Sequence, residues 1–217
     1  MAEPTDTTGE TTPPTTVDGV LHVEPARWRR RDLYRLLTSL VVPRPIAWVS
    51  TLGPDGVANL APHSYFMVVA ADPAHVAFSS TGVKDTLTNV RATGEFVVNI
   101  VPRSLAEAMN ATSIDLPAEG DEFAWAGLTA AASHVVAAPR VAAAPAHLEC
   151  RLTQQLEVGD ATLVIGEVVH IDVDGDVWAD GGVDVTRLDP VGRLAGTAYT
   201  SLGEVFHHRR PRWDGER

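Results

Sequence analysis

Two β-prone runs, HLECRLTQQLEV at 147–158 and ATLVIGEVVHIDV at 161–173, lie on either side of Gly159-Asp160. Two runs of that length joined by two turn-forming residues predict one long antiparallel hairpin. A hairpin this long needs further strands or helices to cover it. Upstream, IAWVSTL at 46–52, HVAFSS at 75–80 and FVVNIVP at 96–102 read as strands, and GPDG at 53–56 as a turn. Residues 57–67 read as a return segment broken by Pro62. Helical spacing of Leu33, Leu36, Leu37 and Leu40 predicts a first helix after Trp28. KDTLTNVRATG predicts a second that stops at Gly94, and a third runs from Ser104 to about Ala111. The stretch 113–145 is alanine-rich and the least legible. The expectation is a mainly β chain with a few helices, a barrel or sandwich whose strands return through short turns.

The 217 residues suit one domain with tails rather than two domains. Residues 1–20 hold seven threonines, three prolines, four acids and no basic residue, a composition that predicts a disordered tail. The body is then expected over 21–205, with a basic C-terminal tail over 206–217. No run of about 18 apolar residues predicts a membrane span, and no secretory leader is visible. A net charge of −11 opposes nucleic acid and anionic membranes as partners. The single cysteine, Cys150, forms no internal disulfide and argues against a cysteine-rich metal site. The cytoplasm is the expected compartment.

Several motifs dissolve on inspection. Asp172, Asp174, Gly175 and Asp176 resemble the start of a calcium loop, but Val183 stands where the bidentate glutamate belongs. His207-His208 beside Arg209 and Arg210 reads as a solvated basic tail. His63 and Ser64 are adjacent, so on a strand they face opposite ways and make no nucleophile–base pair. The Asn110 sequon matters only in a secreted protein, and no HExxH, GxSxG or phosphate-loop string occurs.

SSTGVKDT at 79–86 is the stretch that points to chemistry. A strand runs into a helix there, with small hydroxyls, a flexible Gly82 and Lys84, the only lysine among 17 basic residues. Helix-start amides, the helix dipole and a lysine together suit an anion. Asp85 is the expected helix cap. An ordinary strand–turn–helix explains the same residues equally well.

Four strings resemble the flavin reductase-like family, the FMN-binding split barrel, in its subgroup with a PRPIA motif. They are PRPIAWVSTLGPDGVANLAPHSYF at 43–66, AFSSTGVKDTLTNVRATGEFVVNI at 77–100, IGEVVHIDV at 165–173 and GRLAGTAY at 192–199. The resemblance implies a six-stranded antiparallel barrel, a homodimer, and FMN near the subunit interface. It implies that Ser79, Lys84 and Thr86 hold the phosphate with Asp85 at the helix start. It also implies that the ring lies along strand 46–51 and the segment carrying Asn59 and Ser64. Trp48 and Ser50 share one face of that strand and Thr51 the other, so all three are candidates, with core packing the alternative for Trp48. Arg193 either faces a substrate or pairs with an acid. The implied activity is an oxidoreductase in which FMN takes hydride from NADH or NADPH and passes electrons to another acceptor, and no protein residue is assigned as catalytic. The alternatives are an FMN-holding electron-transfer protein without a nicotinamide site, and a module that only binds flavin. One departure weakens the case for a nicotinamide-driven reductase, although hydride transfer to flavin requires no protein acid–base group. Reductases of the family that feed two-component monooxygenases usually carry Gly-Asp-His before the Gly-Glu-Val strand, and here Ala161 replaces the histidine.

Overall fold

A computed structural model describes residues 14–117 and 120–213. Its main sheet is antiparallel and has seven strands: β1 (Ala47–Leu52), β2 (Ala58–His63), β3 (Phe66–Ala71), β4 (Ala74–Thr81), β5 (Glu95–Asn99), β6 (Ala146–Val158) and β7 (Ala161–Val173). The hydrogen-bonded order is β2-β1-β5-β6-β7-β4-β3, which does not close on itself. The long hairpin forms as expected, with Val158 opposite Ala161. The strand count is one above the expected six because residues 57–67 hold one whole strand, Ala58–His63, and the start of another, Phe66–Ala71. Pro62 does not break β2. It pairs with Trp48 on an edge strand, where a missing N–H is tolerated. The chain instead turns at Ser64-Tyr65, leaves β1, and pairs β3 with β4.

Both faces of β1 are core. Trp48 joins Ile46, Leu60, Met109 and Phe123 on one side, whereas Ala47 and Val49 join Phe78, Leu87, Phe96 and Val164 on the other. Phe96 lies edge-on to Phe78, at 5.4 Å between ring centres. The residue facing Phe96 on β7 is Gly166, because a Cβ there would collide with the ring. Cys150 is buried, and burial pushes its thiol far above the usual range, with Glu149 adding to the shift. Such a thiol is inert.

Helix α1 (Arg30–Leu40) forms where expected, but Leu37 and Leu40 stay exposed. Helix α2 (Asp85–Thr93) buries Leu87 and Val90 and ends at Gly94, whose φ of 72° is the left-handed stop that glycine adopts freely. Asp85 does not cap it: Lys84 holds the cap position, Asp85 is the first helical residue, and no side chain caps the helix. The expected third helix is a 3-10 turn, Arg103–Leu105, followed by α3 (Ala106–Ala111). A fourth, α4 (Glu122–Trp125), starts on Asp121, whose carboxylate accepts from the amides of Phe123 and Ala124.

Of the expected N-terminal tail, residues 1–13 lie outside the described residues. Thr15–Val17 and Val20–His22 form a small hairpin around Asp18-Gly19, both at positive φ. An Asp-Gly pair suits such a turn, although every residue of the two strands is exposed. At the other end, residues 206–213 are exposed and without regular structure, and 214–217 lie outside the described residues. No described helix is long and apolar enough to cross a membrane.

Candidate functional site: a cavity at the start of helix α2

A cavity of about 440 Å³ opens where the ends of β2 and β4 meet the start of α2, residues 112–116 and Glu122. That volume lies in the roughly 300–1,000 Å³ range of small-molecule sites. Six of the nine expected site residues line it: Asn59, Ser64, Ser79, Lys84, Asp85 and Thr86. The helix start within it has no side-chain cap, so its amides are available to an anion. Asn59 donates to the hydroxyl of Thr86 at 2.9 Å, which leaves the Thr86 proton free to be donated. Lys84 pairs with Asp115 at 2.7 Å on the exposed rim.

Trp48, Ser50 and Thr51 are not part of the lining. Trp48 is fully buried and donates from Nε1 to Thr112 Oγ1 at 2.9 Å. Ser50 donates to the carbonyl of Pro139 and accepts from Asn99. Thr51 accepts from Asn89 at 3.0 Å, and more weakly from Asn59 at 3.5 Å, so it supports a cavity residue from behind. The choice of strand face left open by the sequence therefore has no winner, since both faces are packed. Arg193 pairs with no acid among the described residues and does not line the cavity. It stacks over Tyr199 at 4.4 Å and donates to the carbonyl of Gly196.

Three lining side chains, His63, Glu122 and Asp115, were not anticipated, and Arg44 contacts the lining residue Ser64 without lining the cavity itself. His63 lines the cavity beside Ser64, because β2 ends at His63 and strand alternation stops there. Its Nδ1 faces the carbonyl of Ser79 at 3.4 Å, so that nitrogen carries the proton, and Nε2 is buried with no partner among the described residues. Burial lowers its pKa to about 4; the Ser79 carbonyl opposes the shift and Lys84 reinforces it. A neutral imidazole with a bare acceptor is thus held at the cavity wall. Glu122 is buried, accepts from the amide of Leu60 at 3.2 Å, and is pushed above the usual carboxylate range by burial, against its hydrogen bonds and with help from Asp85 and Asp121. Arg44 is buried with no acid partner among the described residues. It donates to the carbonyls of Thr38, Val41 and Leu194 at 2.7–2.9 Å, with Nε 3.4 Å from Ser64 Oγ. A cation suits the carbonyl end of α1, and it ties that helix to the strand break. For Arg44 the signal was its position inside PRPIA; His63, Glu122 and Asp115 gave none.

A family model for the flavin reductase like domain matches residues 39–187. The chain belongs to the flavin reductase-like family. Among solved structures, this flavin reductase-like chain is similar to component B of nitrilotriacetate monooxygenase from Bacillus cereus, at TM-score 0.85 and 36% identity over 88% of this chain and 100% of the other. It is similar also to the 2-nitrobenzoate 2-nitroreductase of Pseudomonas fluorescens, at TM-score 0.82 and 30% identity over 88% of this chain and 96% of the other. A flavin-reductase-type protein with a split barrel domain from Shewanella frigidimarina shares the fold at TM-score 0.79 and 23% identity, over 86% and 96% of the two chains. The family and these oxidoreductase neighbours support flavin binding and a flavin-oxidoreductase kind of activity.

Proposed function

We propose that this flavin reductase-like chain binds FMN and takes hydride from NADH or NADPH, passing the electrons to a second acceptor. The observation that carries the reading is the convergence of Ser79, Lys84 and Thr86 on an uncapped helix start inside one cavity. The residues fit the group: the amides, the ammonium and two hydroxyls suit a phosphate, and the buried Nε2 of His63 has no donor among the described residues. When bound, FMN supplies the two-electron chemistry. The chain's own residues bind and orient. Lys84 and the helix start place the phosphate end, Asn59 holds Thr86 in position, and the neutral His63 forms part of the wall without bringing charge.

A homodimer accompanies this reading. Strand β3 exposes Met67 and Val68, at 61% and 73%, on an edge strand, and α1 leaves Leu37 and Leu40 uncovered. An apolar edge of that kind is a surface for a partner. The working body spans 21–205, flanked by the two tails.

One observation favours an FMN-holding electron-transfer protein without a nicotinamide site. Ala161 lies opposite Thr81, a lining residue, so the side chain missing from Gly-Asp-Ala is missing beside the cavity. Anaerobic addition of NADH or NADPH to the flavin-loaded protein decides between them. Bleaching of the flavin absorbance is expected. Colour without bleaching assigns the electron-transfer role, and no uptake of flavin at all overturns both.

A further inference from the structure

The hairpin of β6 and β7 carries a second group of functional side chains, none of which lines the cavity. Glu149 lies opposite His170 across the two strands, and His147 lies opposite Asp172. Residues two apart on a strand share a face, so Glu149, His170 and Asp172 project together. The loop after Ala130–Ala131 lies over this face and brings His134 against His170, with ring centres 4.7 Å apart. One ligand-type atom from each of His134, Glu149, His170 and Asp172 lies within 4.8 Å of all the others.

Neighbouring groups already hold two of the four. Glu149 is fully buried and accepts from the backbone amides of His134, Val135 and Val136 at 2.7–3.2 Å. Burial raises its carboxyl, but those amides outweigh it and hold the group below the usual range, as an anion. Asp172 uses one oxygen, Oδ1, for both Arg140 at 2.6 Å and His147 at 2.8 Å. Its other oxygen, Oδ2, is buried and has no hydrogen-bond partner among the described residues. A covered carboxylate oxygen with nothing to accept from is costly, and a cation removes the cost. The rings of His134 and His170 make no hydrogen bond to any described residue. Two carboxylates beside one guanidinium leave a local charge of −1 for a dication to meet.

We propose that His134, Glu149, His170 and Asp172 form a closed, structural site for a divalent cation of the zinc type. Two imidazoles with two carboxylates, and no thiolate, suit Zn²⁺ better than the all-oxygen shells of calcium or magnesium. Ligand atoms around tetrahedral zinc lie roughly 3.4 Å apart, as bonds of about 2.0–2.1 Å require. The exposed His134 has the freedom to close that gap. Arg140 and His147 act as the outer support that fixes Asp172. With four protein ligands no position stays open for substrate, so the ion clamps the loop carrying His134 onto the hairpin.

The test uses the full chain freed of metal by a chelator and then titrated with Co²⁺. One equivalent is expected to give the strong visible bands of tetrahedral Co²⁺, which Zn²⁺ then abolishes, and the melting temperature rises with Zn²⁺. His134→Ala, at an exposed position, and His170→Gln should each weaken Zn²⁺ binding by roughly 100-fold or more, since even outer-support changes cost 10–100-fold. Flavin binding should be unchanged in both. The double variant His207→Ala/His208→Ala controls for adventitious binding and should behave as the parent. Absence of the bands overturns the site. So do bands that survive in His134→Ala, or that vanish with the tail histidines.

Discussion

Replacing Lys84 by alanine tests the cavity at its most specific point. The Lys84 side chain is 61% exposed and its partner Asp115 82% exposed, so their ion pair contributes at most about 1 kcal/mol. A charge-assisted hydrogen bond from Lys84 to a phosphate is worth on the order of 1.5–3 kcal/mol. Lys84 gives up Asp115 to make it, which leaves a net gain of about 0.5–2 kcal/mol. FMN affinity should therefore fall roughly 2- to 30-fold in Lys84→Ala. Asp115→Asn should act in the opposite direction, tightening FMN by up to about fivefold, because it releases the ammonium and removes a repelling carboxylate. Riboflavin has no phosphate and should bind nearly as well to both variants as to the parent. Fluorescence titration of each ligand at two salt concentrations measures this, and the Lys84 effect should shrink at the higher one. If Lys84→Ala holds FMN as tightly as the parent, or loses riboflavin in parallel, the phosphate does not sit at the start of α2.

Stability should fall as pH drops from about 6.5 to about 4, because unfolded His63 takes up a proton that the folded side chain refuses. The loss is at most about 3.5 kcal/mol at roughly 1.4 kcal/mol per pKa unit; urea titrations should show a flatter profile for His63→Gln, and an identical profile refutes the assignment. Gly166→Ala should destabilise by about 1–3 kcal/mol, since the new Cβ displaces the Phe96 ring; an unchanged denaturation midpoint would contradict the packing described here. Val68→Asp, at a position exposed on β3, should convert the proposed dimer to monomer by light scattering, and a dimer that persists moves the interface elsewhere.

The sequence by itself determined the elements whose signals are local. The β6–β7 hairpin followed from two long β-prone runs around one turn. Helix α2 followed from its spacing and from Gly94, and the family from four strings in order. Six expected site residues share one cavity because most of them belong to a single strand–helix junction or to the strand ending beside it. Where several contacts decide the outcome, local signals were insufficient. Alternation divided Trp48 and Ser50 from Thr51, but only the packing of two clusters against β1 shows that neither face is open. Pro62 looked like a break until its place on an edge strand made it harmless. His63, Asp115 and Glu122 meet through pairings and loops that span some 60 residues of chain, and no short-range pattern encodes such a meeting. The same is true of His134, Glu149 and His170, where cross-strand register sets one pair and the loop above the sheet supplies the third. Periodicity reports what a residue's near neighbours impose, whereas a site is made by the long-range packing that brings separate segments to one place.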